Sequence, residues 1–74
     1  VASYGAADQV RQALEFRLRH DSRIAAVGVG WLNPGDYAVV VELHDLEEGP
    51  GLPEVMDGVR VLRQERHAGL ADRR

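Results

Sequence analysis

Few side chains in this 74-residue chain can do chemistry. His44, Asp45, Glu47 and Glu48 offer imidazole nitrogen and carboxylate oxygen over a short stretch, the donor set of a divalent-cation site. Their order follows no calcium-loop spacing, and His20 and His67 are far away in sequence, so the stretch reads as a solvated acidic loop, with metal binding as the alternative. Hydroxyl nucleophiles need Ser or Thr beside a base; the chain has only Ser3 and Ser22, no Thr, and no Cys for thiolate chemistry. Gly28-Val29-Gly30 resembles part of a dinucleotide loop, but the third glycine is missing and no helix follows, so these glycines read as close-packing positions inside a strand. Arg60, Arg63 and Arg66 form a cationic run without the interleaved aromatics that stack RNA bases, and read as a solvated edge. The expectation is a non-enzymatic chain with no catalytic residue and no cofactor.

Charge narrows the partners. Nine basic residues, all Arg, face twelve acids, for a net charge of −3. This balance argues against a duplex-binding module, whose phosphate contacts need clustered cations. No apolar run approaches the roughly 20 residues that span a bilayer, and no basic stretch leads into a hydrophobic one. The expectations are therefore no nucleic acid, no membrane and a cytoplasmic setting, which the lack of cysteine fits.

Positioning these residues is the work of one small domain, expected over 1–74. A domain of this size buries roughly 60% of its unfolded surface, which leaves a thin core that a partner can complete. Ala6, Ala7, Val10, Ala13, Leu14 and Leu18 recur at helical spacing and predict a helix over 6–20, started by Ser3 or Gly5. Arg17 falls inside the apolar stripe, its stem over the core and its guanidinium in water, while Phe16 lies on the flank of the stripe. Ile24 to Leu32 is apolar and β-branched, ends at Asn33-Pro34-Gly35-Asp36, and is followed by Tyr37 to Leu43, which predicts a hairpin over 24–43 with a type II Pro-Gly turn. The segment 52–64 is expected to give a short helical turn, then a third strand from Val59 to Gln64, with 65–74 as a polar tail. The fold class is α+β: a long helix on a three-stranded, mostly antiparallel sheet, in the order helix, strand, strand, short helix, strand.

If Asn33 opposes Asp36 and the hairpin is regular, Trp31 pairs with Ala38, Gly30 with Val39, Val29 with Val40 and Val27 with Glu42. Ile24, Ala26, Gly28, Gly30, Leu32, Tyr37, Val39, Val41 and Leu43 then seat the helix. The other face carries Val27, Val29, Trp31 and Val40, an apolar patch with only Glu42 and His44 at its margin, and such patches mark interfaces.

Val27-Gly28-Val29-Gly30, the strand Tyr37-Ala38-Val39-Val40-Val41, and Leu52-Pro53 followed by Met56-Asp57-Gly58-Val59-Arg60-Val61 resemble a small domain found ahead of, or beside, bacterial trypsin-like serine protease domains. The likeness covers about residues 24 to 64. It departs from the family pattern at Met56, where an aliphatic residue is usual, and at Arg60, where Pro is usual. The chain has no Gly-Asp-Ser-Gly-Gly nucleophile segment, so the resemblance implies an accessory or interaction module and carries over no catalytic residue.

The sequence thus leads to a protein–protein interaction domain using Val27, Val29, Trp31 and Val40, with Phe16 beside them, for homodimerisation or docking to a larger partner. The alternatives are a small-ligand or metal-binding module on the 44–48 loop, and an extended peptide bound along a strand edge.

Overall fold

A computed structural model describes residues 1–66 of the chain. It is an α+β structure with one helix, α1 (Tyr4–Leu18), and a four-stranded mixed sheet of β1 (Ile24–Asn33), β2 (Asp36–Leu43), β3 (Val55–Met56) and β4 (Val59–Glu65), in the order β1-β2-β4-β3. Ser3 starts α1, its side-chain oxygen accepting the Ala6 N–H at 3.1 Å. The helix begins and ends two residues earlier than its apolar spacing suggests, because the cap fixes the start. Ala7, Val10 and Leu14 are buried against Val39, Val41, Leu43, Val59 and Val61; Ala13 and Arg17 are exposed.

The hairpin turn is the expected one: Pro34 precedes Gly35, whose φ of 82° is the left-handed value a type II turn requires. The register is not. Ten residues of β1 face eight of β2, with bulges at Leu32 and Ala25, so Trp31 pairs with Tyr37, Val29 with Val39, Gly28 with Val40 and Val27 with Val41. A type II turn splays a two-residue hairpin, and a bulge beside it restores the right-handed twist. The first bulge exchanges the faces of the middle of β1, and the second restores the expected face at Ile24, opposite Leu43. Val27 and Val29 therefore pack against the helix-side core, while Gly28 and Gly30 turn to the other face.

Two further expectations are corrected. The residues before Asp57-Gly58 are extended rather than helical, because Asp57 and Gly58 both have positive φ (51° and 80°), and such a turn pairs the residues on both its sides. The fourth strand so formed is β3, antiparallel to β4. The strand from Val59 runs parallel to β2, with Val39 opposite Val61, so the sheet is mixed. The only short helical turn among the described residues is the 3₁₀ turn Leu46–Glu48, in the acidic loop. Of the expected tail, Glu65 ends β4, Arg66 donates to the Leu43 carbonyl at 2.8 Å, and 67–74 lie outside the described residues.

Candidate interaction surface

Two surfaces of the sheet lack a covering layer among the described residues. One is the face away from α1. By the register it carries Ala26, Gly28 and Gly30 of β1, Ala38 and Val40 of β2, Arg60, Leu62 and Gln64 of β4 and Val55 of β3. Ala38 is buried, Val40 and Leu62 are half-buried, and Val55 is exposed. Val40 leans over Gly30, where a Cβ would come within 3.0 Å of Val40 Cγ2; above Gly28 there is open space. Glu42, with Arg66 at 3.6 Å, gives this face a polar end.

The second surface is the outer edge of β1. Tyr37 donates its N–H to the Ala2 carbonyl, and Leu43 accepts from Arg66, each at 2.8 Å, so the odd-numbered residues of β2 turn their backbone groups away from β1. In the alternating antiparallel ladder Ala26, Gly28 and Gly30 then bond to β2. Val27, Val29 and Trp31 turn N–H and C=O outward along a strand with no charge and no proline. A groove of about 410 Å³ runs beside this edge, lined by Glu15, Leu18, Arg19 and Asp21 and by Ile24 to Val27.

The residues expected at an interface are thus divided. Val27 and Val29 are half-buried on the helix side of β1, and Val40 is on the opposite face; the patch expected to unite them does not form, because the Leu32 bulge separates them. Trp31 is 67% exposed at the β1 edge, opposite Tyr37. Tyr37 meets Tyr4 edge-on, with ring centroids 5.4 Å apart, so three of the four aromatic residues gather at one end of the sheet. Composition alone did not show this cluster; the turn before Tyr37 and the Ser3 cap before Tyr4 are the signals that place the two tyrosines. Phe16 is exposed on the helix, under the Arg19 guanidinium at 3.9 Å from its ring centre.

The acidic loop is arranged differently from a ligand cage. Asp45 caps the 3₁₀ turn, accepting the Glu47 N–H at 2.9 Å, and His44, Glu47 and Glu48 are exposed. Among the described residues no group of three or more His, Asp or Glu side chains is placed to hold a metal ion. His20 lies beside Arg19, and His67 is outside the described residues. No described helix is long and apolar enough to cross a membrane. Comparison with models of protein families, with curated proteins and with solved structures returns no match.

Proposed function

We propose that this chain is a non-enzymatic protein–protein interaction or accessory domain, acting in the cytoplasm, that uses the uncovered apolar surface of its sheet to bind a second copy of itself or a larger partner. The observation that supports the reading is the one-sided layering: α1 covers one face of the sheet, and the rest of its apolar surface, with the β1 edge and exposed Trp31, has nothing over it among the described residues. Large exposed aromatics beside apolar surface are the usual energetic centres of interfaces. The resemblance to a small domain found ahead of, or beside, trypsin-like serine protease domains implies an accessory or interaction module; the larger partner proposed on that ground is such a protease domain, to which the chain would contribute binding surface and no catalytic group.

Light scattering over a dilution series, with a parallel titration against such a protease domain, tests the reading. The wild-type chain is expected to exceed its monomer mass of 8.2 kDa or to bind the protease domain saturably. Trp31→Glu is expected to weaken the association at least about tenfold, the loss typical of a central interface residue. A monomer at every concentration with no binding, or a Trp31→Glu variant that associates as well as wild type, overturns it.

A further inference from the structure

We infer that β1 is a self-pairing edge: two copies of this chain join antiparallel along β1, Val29 opposite the partner's Val29, to form one continuous eight-stranded sheet. The inference rests on the interaction reading above and fixes its partner as a second copy. The regular stretch Ala26–Trp31 lies between the two bulges, and Val29 is the middle one of its three outward residues. Rotation about Val29 places Val27 opposite the partner's Trp31, so each outward N–H faces an outward carbonyl. A slip of one residue sets outward groups against inward ones, and a slip of two draws bulged Ala25 into the ladder or leaves one end unpaired.

The edge lacks the features that keep strands apart. From Ile24 to Asn33 it has no charge and no proline, and its bulges sit near the ends, leaving the middle flat. A neutral strand meeting its own copy also brings no like charges together.

The helix layer is compatible with the same arrangement. The twofold axis of an antiparallel junction is normal to the sheet, so both helices lie on one side. α1 packs over β2 with β1 and β4 on either side of it, so each helix stands back from the junction, and the groove beside Leu18 and Ile24 lies between the helix and the joined edges.

The regular stretch Ala26–Trp31 extends about 20 Å, so the junction is a small one, of the size of transient interfaces.

The absence of Cys makes a cross-linking test clean. The full chain carrying Val29→Cys, and separately Val40→Cys on the opposite face, is oxidised with copper phenanthroline and resolved without reductant. Paired residues at such a position have Cα atoms about 5.5 Å apart, within disulfide reach. Val29→Cys is expected to give a covalent dimer and Val40→Cys to remain monomeric. Val29→Pro removes an outward N–H, which an edge strand tolerates, and exchanges a half-buried side chain for a ring of similar size. It is expected to keep the wild-type circular dichroism and raise the dimer dissociation constant at least about tenfold.

Cross-linking through Val40→Cys alone overturns edge pairing and leaves the interaction reading standing on the other face. A wild-type chain that is monomeric throughout overturns self-pairing and leaves docking to a different protein. A dimer that Val29→Cys fails to trap overturns the proposed register and edge.

Discussion

Gly28 and Gly30 share a face of β1 but have different neighbours, and the difference is measurable. A methyl at Gly28 enters open space, whereas one at Gly30 meets Val40 Cγ2 at 3.0 Å. Gly28→Ala is expected to be neutral or stabilising by about 0.5 kcal/mol, since it restricts the unfolded chain without a clash. Gly30→Ala is expected to cost about 1 kcal/mol, because half-buried Val40 has to shift. Urea unfolding of the two variants gives the comparison, and the reverse order would place Val40 elsewhere. The residue types announced close approach at these glycines but not what approaches: with the middle of β1 turned over, a valine side chain and open space lie above them, not the helix.

At the scale of elements, what was legible in the sequence was what local chemistry specifies. Ser3, the stripe Ala7-Val10-Leu14 and Pro34-Gly35 determine α1 and the hairpin, and all were readable. The two bulges were not, because the alternation at Ala25-Ala26 and at Leu32 is equally apolar in either register, leaving twist to decide. The parallel pairing of β4 depends on the path of 44–58, a long-range choice that periodicity does not encode. The connection from α1 to β1 is local and makes a definite prediction. Asp21 accepts from the Arg23 backbone and guanidinium at 2.8 to 2.9 Å, and these bonds pull its carboxyl down to about 2 from the usual 3.8. A depressed carboxyl stabilises the fold above its unfolded value and loses that contribution as pH falls toward the folded one, here from about 4 to about 2. Asp8, held low by Arg11 and Gln12, acts in the same direction and stays in place as an internal reference. Thermal midpoints measured across that window should fall less steeply for Asp21→Asn than for wild type; identical slopes would mean that the Asp21–Arg23 contact does not persist in solution.

For the whole molecule, a surplus of apolar surface was legible in the residues, but not how the fold divides it. Val27, Val29 and Val40 were expected on one face, and the structure instead gives, among the described residues, an uncovered face bearing Val40 and a free edge bearing the backbone groups of Val27, Val29 and Trp31. This redistribution bears on stability because the core is small: Leu14, Leu43, Val39, Val41 and Val59 are its largest fully buried side chains. A core of that size gives a domain only a few kcal/mol on its own. If two copies pair along β1, association adds to folding through mass action, and each tenfold rise in concentration adds about 1.4 kcal/mol per dimer. The thermal midpoint is then expected to rise by several degrees per tenfold increase in chain concentration for wild type, since about 1 kcal/mol moves a domain of this length by 4 to 8 °C. Val29→Pro, with its outward donor removed, should show a lower midpoint than wild type at the same concentration, in keeping with its weaker dimer. Scanning calorimetry at two concentrations tests this directly, and a wild-type midpoint that does not move would mean that the domain reaches its stability as a single chain and that the β1 edge is left free for a different protein.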